Sequence, residues 1–180
     1  MEHEKLVAHL SRLSEEDAIT GLLNRRGGEK RINEYMTAHP DEVCAFLLFD
    51  GDHFKKINDS YGHLVGDHVT VQSGQEIKRR FSDKGIVFRL GGDEFVVFYT
   101  DTSEMEVCSR LEEFRSSLKH ANAVSDINMP FTFSVGISMT PDHGTDFDEL
   151  MKGADIALYN SKYEGRGRYR FYEDGMEVPH

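Results

Sequence analysis

The chain of 180 residues contains no long hydrophobic run and only two cysteines. Its longest apolar run, residues 43–49, is far too short to cross a bilayer. The polar, acidic start also lacks the pattern of a signal peptide. Cys44 lies in a strand-like apolar run and Cys108 on the apolar face of a helix-like segment, so we expect both to be reduced core residues. These absences predict a cytoplasmic protein in which this chain makes no direct membrane contact.

Basic residues are scarce: 21 Lys and Arg stand against 32 Asp and Glu, which gives a formal net charge of −11. A protein that binds a nucleic-acid polymer needs a basic face to displace counterions, so we expect no such partner. A nucleotide ligand stays open, because a triphosphate brings its own cations and needs only a few local basic groups. The length and the 38% hydrophobic content suit one globular domain, and no internal repeat or linker interrupts it.

Two glycines and two acids separate two short apolar runs, residues 86–90 and 95–99. Paired glycines between strand-like runs predict a tight hairpin with Asp93 and Glu94 at its tip. Adjacent carboxylates repel each other, so the tip is either a solvated acidic turn or one side of a divalent-cation site. Asp50 ends the apolar run 43–49 and would join the pair if the two strands were antiparallel neighbours. Hard oxygen ligands at that density favour Mg²⁺ or Mn²⁺ over zinc.

The remaining hydrophobic pattern predicts a mixed chain with the order β-α-α-β-β-α-β-α-β and extra helices at its ends. The helices are expected at residues 28–38, 54–61 and 64–81, after a capping box opened by Ser103, and after a cap at Thr145. The strands are expected at residues 43–49, 86–90, 95–99, 131–139 and 168–172. This order is that of an elaborated ferredoxin-like βαββαβ fold of the α/β (α+β) class, with a mainly antiparallel five-stranded sheet and flanking helices. Leucines at a spacing of four and three residues also predict a helix over residues 1–16.

The run Gly91-Gly92-Asp93-Glu94-Phe95 resembles the signature of the GGDEF domain family, the diguanylate cyclases. Four other segments match the pattern of that family in the same order, namely residues 17–26, 49–67, 133–138 and 154–168. The resemblance implies the palm-like fold of nucleotide cyclases and polymerases. It also implies a connecting helix over residues 1–16, a catalytic domain over residues 17–175, a tail over residues 176–180 and an upstream sensor module.

The resemblance also assigns the metal site. It implies that Asp50, the Gly51 carbonyl and Asp93 bind two Mg²⁺ or Mn²⁺ ions per active site, and that Glu94 assists the metal site or takes up a proton. Asp50, Asp93 and Glu94 are therefore the expected catalytic residues. Three histidines, His53, His63 and His68, have spacings that fit no common zinc pattern.

The substrate-binding residues follow from the same resemblance. Lys162 and Arg166 are four residues apart, a spacing that ordinarily gives a solvated helix face; in the family the corresponding pair holds a triphosphate. Lys55 is a further phosphate candidate. Asn58 and Asp67 are expected to bind guanine, because a carboxylate accepts from the guanine N1–H and amino donors and an amide offers both a donor and an acceptor. A lone Asn or Asp is otherwise more often a cap or turn residue. The other expected substrate-binding residues are His53, Phe54 and Gly92.

The function that these residues predict is the condensation of two GTP molecules into cyclic di-GMP across a homodimer. One alternative is a non-catalytic module that binds GTP or senses cyclic di-GMP; another is a cyclase that acts on a single nucleotide. Many family members also carry an Arg-x-x-Asp motif for product feedback, but here Ser82 and Gly85 occupy its positions. Arg80 and Asp83 spell the motif two residues too early, so we expect weak or absent high-affinity feedback.

Overall fold

The apolar runs of the sequence form a five-stranded sheet with helices on both faces. The structure is a computed structural model that describes residues 15–124 and 131–179, with only the backbone described at residues 122–124. The elements of the described part are α1 Arg25–Ala38, β1 Cys44–Gly51, α2 Phe54–Tyr61, α3 His63–Phe81, β2 Gly85–Gly91, β3 Glu94–Tyr99, α4 Glu104–Val124, β4 Phe133–Thr140, α5 Phe147–Tyr163 and β5 Tyr169–Phe171. The predicted element order is confirmed; the helix expected over residues 1–16 lies almost wholly outside the described residues.

The sheet has the strand order β2-β3-β1-β4-β5. The central strand β1 is antiparallel to both β3 and β4, and only β5 runs parallel to its neighbour β4. The mainly antiparallel α+β fold is therefore confirmed. Both faces of β1 are covered by packed side chains, which explains why its sequence is a continuous apolar run rather than an alternating one.

Successive residues of β1 supply two separate hydrophobic clusters. Leu47 and Phe49 pack with residues of α3 and α4, such as Phe81 and Phe114. Phe46 and Leu48 pack on the opposite face with residues of α1 and α5, represented by Ile32, Phe147 and Leu150. Full burial of such a side chain contributes ~1.5–3 kcal/mol. The two clusters therefore hold the end of β1, which carries Asp50, in a fixed position.

Three helix starts differ from the expectation. Helix α3 begins one residue early, at His63 rather than at residue 64. Helix α1 begins at Arg25 rather than at residue 28, because the Asn24 side chain accepts the Gly27 N–H at 3.0 Å. Helix α5 is capped by Asp146, so the expected cap at Thr145 is wrong. The Asp146 carboxylate accepts the Glu149 N–H at 2.9 Å, and its charge also suits the positive end of the helix dipole.

One of the two hydrogen bonds of the capping box at Ser103 is confirmed: the Ser103 hydroxyl accepts the Glu106 N–H at 3.3 Å. Cys44 is buried and Cys108 is half-buried, and both are free thiols, as expected. Within residues 15–124 and 131–179, no helix is long and apolar enough to cross a membrane.

Candidate functional site

Three carboxylates, those of Asp50, Asp93 and Glu94, lie close together where β1 ends and β3 begins. The antiparallel register places Asp50 directly opposite Glu94. The Gly51 N–H donates to the Asp93 carbonyl at 3.2 Å, and a Cβ on Gly51 would lie 2.8 Å from Asp93 Oδ2. The Asp93 carboxylate therefore lies directly against the Gly51 backbone. The expectation that the strands of Asp50 and Glu94 are antiparallel neighbours is confirmed.

The electrostatics of these carboxylates reflect burial among like charges. Burial, together with the charges of Asp50 and Glu94, raises the pKa of Asp93 to about 7. Burial and the Asp50 charge also raise the pKa of Glu94, although Lys162 acts in the opposite direction. A cation close to Asp50 and Asp93 would relieve this repulsion.

Lys162 of α5 supplies a positive charge to the site. Its ammonium nitrogen lies 2.6 Å from Asp50 Oδ2, and the lysine side chain is 30% exposed and that of the aspartate 15%. Asp155 stands two helical turns earlier on α5, and its pKa is raised by burial and by the Asp50 charge, against the effect of Lys162. The sequence reasoning assigned no role to Asp155; its spacing of seven residues from Lys162 was the available signal.

The donor set suits a cation that is completed by substrate. Among the residues that the structure describes, no three His, Cys, Asp or Glu side chains form a ready-made metal cage. Asp50, Asp93 and the Gly51 carbonyl are hard oxygen donors, and Mg²⁺ is usually held by one or two carboxylates together with substrate phosphates. These residues therefore fit a Mg²⁺ or Mn²⁺ ion whose remaining ligands come from a bound molecule.

An arginine braces the hairpin tip. Arg89 donates to the Gly92 carbonyl at 3.0 and 2.7 Å and forms an ion pair with Asp17 at 3.1 Å. Gly92 has φ +53, a left-handed conformation that glycine adopts without strain. The brace connects the segment before α1 with the turn that carries Asp93, and the sequence reasoning missed it because Asp17 and Arg89 are 72 residues apart.

Most of the predicted substrate-binding residues line one open cleft of about 530 Å³. A cleft of this size is in the usual range for small-molecule sites. Its lining comprises Gly51, Asp52, His53, Phe54, Lys55, Asn58, Gly92, Asp93, Lys162 and Arg166. Asp50 and Glu94 lie beside it through their contacts with Lys162 and Asp93, whereas Asp67 is exposed on α3 and is not part of the lining.

Helices α2 and α3 bring the Asn58 side chain against Gly66. A Cβ on Gly66 would lie only 1.8 Å from Asn58 Oδ1, so only glycine allows the amide to lie against the α3 backbone at this position. Asp67 is the next residue. Asn58 therefore lies against the turn of α3 that carries Asp67, and only Asn58 of the two lines the cleft.

Arg166 reaches the cleft from a turn. We expected Lys162 and Arg166 to share a helical face, but α5 ends at Tyr163, and Arg166 has φ +63. The turn is held by Asp52, which accepts the Gly167 N–H at 2.9 Å. The pair still lines one cleft, although a turn rather than a helix face produces this arrangement.

Comparisons with known proteins agree with this fold. Residues 14–168 match the family described as "Diguanylate cyclase, GGDEF domain". The signaling protein YkoW of Bacillus subtilis is 35% identical over 178 residues, which cover 93% of this chain and 22% of YkoW. The diguanylate cyclase DosC of Escherichia coli is 33% identical over 165 residues, covering 89% of this chain and 35% of DosC. This chain thus spans about a fifth to a third of the length of these relatives.

Other matching proteins are named cyclic di-GMP phosphodiesterases or bifunctional enzymes that combine both activities. Among solved structures, the coiled coil and GGDEF domain of DgcB from Caulobacter crescentus, in complex with c-di-GMP, superposes with a TM-score of 0.82. It is 27% identical, and the match covers 94% of this chain and 93% of that chain.

Proposed function

Because this chain belongs to the GGDEF domain family, we propose that its residues 17–175 form a diguanylate cyclase domain, which condenses two GTP molecules into cyclic di-GMP and two pyrophosphates. The observation that carries the proposal is the single cleft lined by Asp93, Asn58, Lys162 and Arg166. It combines acceptors for guanine, cations for phosphates and carboxylates for a divalent ion.

Different residues bind different parts of the nucleotide. The Asn58 amide in the cleft and the Asp67 carboxylate outside its lining bind the guanine edge, since their groups complement its donors and acceptors. Lys162, Arg166 and Lys55 bind the triphosphate through charge-assisted hydrogen bonds. His53, Phe54 and Gly92 form the remaining wall of the cleft.

Asp50, the Gly51 carbonyl and Asp93 would hold the Mg²⁺ or Mn²⁺ ions, with Glu94 beside them. When bound, such ions neutralise charge on the transferring phosphoryl group and lower the pKa of the attacking hydroxyl. The hard oxygen donors of the carboxylates favour such ions over zinc. Glu94 is half-buried and its pKa is raised, which suits a group that takes up the hydroxyl proton.

The reaction requires two copies of the domain, because each cleft presents one set of guanine-binding and phosphate-binding residues. The 3′-hydroxyl oxygen of one GTP attacks the α-phosphorus of the other, and the bond from that phosphorus to pyrophosphate breaks. The proton of the hydroxyl passes to a carboxylate of the cleft. The 3′-hydroxyl of the second GTP attacks the α-phosphorus of the first in the same way, and this closes the ring. A homodimer with facing clefts is therefore the active species. An upstream module sets how the two copies meet.

Incubation with GTP, ATP and Mg²⁺, followed by chromatography of the products, tests the proposal. We expect cyclic di-GMP and pyrophosphate from GTP alone, at a rate that rises faster than linearly with protein concentration. An Asp41→Asn variant, which changes an exposed acid outside the cleft, serves as the control. Formation of cyclic GMP, cyclic AMP or no product at any protein concentration would contradict the proposal.

A non-catalytic nucleotide-binding module is the second candidate. It is favoured by the relatives that are named cyclic di-GMP phosphodiesterases. Its prediction is different: GTP binds to the cleft, yet no product appears even when the domains are fused to a dimerising segment. Retention of Asp93 and Glu94 favours the cyclase, because a module that only binds has no need of both carboxylates.

A further inference from the structure

Asp52 is a carboxylate for which the proposed reaction has no use, although it lies only two residues beyond Asp50. The residue is 4% exposed. The Thr132 hydroxyl donates to its Oδ2 at 2.6 Å, and the Ser134 hydroxyl donates to its Oδ1 at 2.7 Å. The Gly167 N–H also donates to Oδ2, at 2.9 Å. Both carboxylate oxygens are thus engaged by donors of the chain itself.

These donors come from separate parts of the fold. Thr132 precedes β4, Ser134 lies within β4, and Gly167 belongs to the turn between α5 and β5. The backbone N–H of Asp52 also donates to the Thr132 carbonyl at 2.8 Å. Asp52 therefore joins the end of β1, the start of β4 and the turn that carries Arg166.

The turn needs such a contact because its backbone is unusual. Arg166 has φ +63 and Gly167 has φ +59, so two successive residues are left-handed and one of them is not glycine. On the other side the turn is held by Ser161, whose carbonyl accepts the Arg166 N–H at 3.2 Å. Without the acceptor at Asp52, the Gly167 N–H loses its partner, and that end of the turn keeps only the bond of the next residue, whose carbonyl accepts the Val135 N–H at 2.9 Å.

We propose that Asp52 is a positioning residue that fixes the Arg166 turn, so that the guanidinium faces the triphosphate in the cleft. This inference rests on the proposed function, because it takes the triphosphate as the ligand of Arg166. An Asp-x-Asp pair is otherwise typical of two metal ligands. Here the second carboxylate faces protein donors, and its role is to order the phosphate-binding turn.

Calorimetry with the α,β-methylene analogue of GTP and Mg²⁺ tests the inference, since this analogue cannot react at its α-phosphate. We expect Asp52→Ala to weaken binding about tenfold, as for the loss of one charge-assisted contact. Binding of GMP should be unchanged, because GMP lacks the β- and γ-phosphates. Asp52→Asn should recover most of the loss, since its carbonyl oxygen can accept from Thr132 and Gly167 and its amide can donate to the Ser134 hydroxyl.

A double-mutant cycle separates positioning from general stability. If Asp52 acts through Arg166, then Asp52→Ala should add no further loss to that of Arg166→Ala. Ser138→Ala is the matched control for Ser134→Ala: both hydroxyls are buried on β4 and donate at 2.7 Å, but Ser138 donates to the Leu150 carbonyl, away from the turn. Both variants should unfold at a lower temperature, and only Ser134→Ala should weaken binding of the analogue.

Hydrogen exchange of the Gly167 amide tests the anchor without any nucleotide. We expect slow exchange in the wild type and fast exchange in Asp52→Ala. Unchanged exchange, or binding losses that add fully with Arg166→Ala, would overturn the role of Asp52. An Asp52→Asn variant that binds the analogue as weakly as Asp52→Ala would also overturn it, because the charge of Asp52 and not its hydrogen bonds would then determine the affinity. A wild type that protects Gly167 but does not bind the analogue would instead contradict the proposed function alone.

Discussion

Asp93 combines burial with nearby negative charge, and this makes the stability of the chain depend on pH. Its pKa is raised from 3.8 to about 7 by burial and by Asp50 and Glu94. In the pH range between these values the folded chain holds a proton that the unfolded chain has lost. The Asp93 contribution to the free energy of unfolding therefore falls as the pH rises from 3.8 to about 7, and it stays constant above that range.

Asp93→Asn removes this charge and should separate stability from activity. Without divalent cations, we expect the variant to unfold at a higher temperature than the wild type at pH 8, with the difference shrinking towards pH 4. Product formation should be abolished, because a cation ligand is lost. Calorimetric scans across pH and a product assay check both parts; near-normal turnover would show that Asp93 is not a ligand.

Asp67→Ser tests whether guanine is bound by the exposed Asp67 carboxylate on α3. Each hydrogen bond to a charged group contributes ~1.5–3 kcal/mol, so GTP affinity should fall about ten- to hundredfold. ATP affinity should hardly change, since adenine lacks the donors that the carboxylate accepts. Calorimetry with the two nucleotides measures the selectivity; unchanged GTP affinity would mean that Asp67 is only structural.

At the scale of elements, the contact between α2 and α3 shapes the end of the cleft that we propose to bind the base. Gly66→Ala would place a Cβ 1.8 Å from Asn58 Oδ1, so the amide must move. We expect lower affinity for GTP and GMP alike, while alanine itself favours the helix by up to about 1 kcal/mol.

Gly74→Ala is the control on the same helix. Its Cβ would meet Leu22 and Phe95 at 3.1 Å, in the core rather than at the cleft. We expect a change in the unfolding temperature and none in nucleotide affinity. Equal affinity losses in the two variants would mean that α3 shifts as a whole.

The sequence predicts those elements whose physics is local. The apolar runs give the five strands, and the glycine pair gives the hairpin, because these signals lie within a few neighbouring residues. The cap of α5 was misplaced by one residue, since Thr145 and Asp146 are both good caps and only the backbone geometry selects Asp146.

The contacts that the sequence could not predict join residues far apart in the chain. Asp52 meets Ser134 and Gly167 across 82 and 115 positions. Asp17 pairs with Arg89 only because the segment before α1 packs beside the hairpin. No local pattern encodes such a pairing. The carboxylates and the phosphate-binding residues could therefore be predicted, but the contacts that hold them in place could not.

At the scale of the whole molecule, the displaced Arg-x-x-Asp motif is already paired within the chain. Arg80 donates to Glu76 at 2.9 Å and to Glu113 at 3.3 Å, and Asp83 accepts from Arg110 at 2.7 Å. A product that bound there would have to replace these ion pairs.

We therefore expect weak or absent binding of cyclic di-GMP to nucleotide-free protein. Calorimetry measures it directly, with Arg80→Ala as the comparison. Tight binding in the wild type that disappears in Arg80→Ala would show that the displaced motif forms a feedback site after all.

The ion pair between Lys162 and Asp50 has a consequence for the order in which ligands assemble. An ammonium group that is tethered to the chain competes for Asp50 at a high effective concentration, so a free divalent ion must displace it without compensation. A cation that arrives with a triphosphate brings phosphate oxygens that can accept the released ammonium. We expect Lys162→Met to bind Mn²⁺ more tightly than the wild type in the absence of nucleotide, as measured by electron paramagnetic resonance, and to lose this advantage when GTP is present. The domain would then remain without its metal until the substrate delivers it.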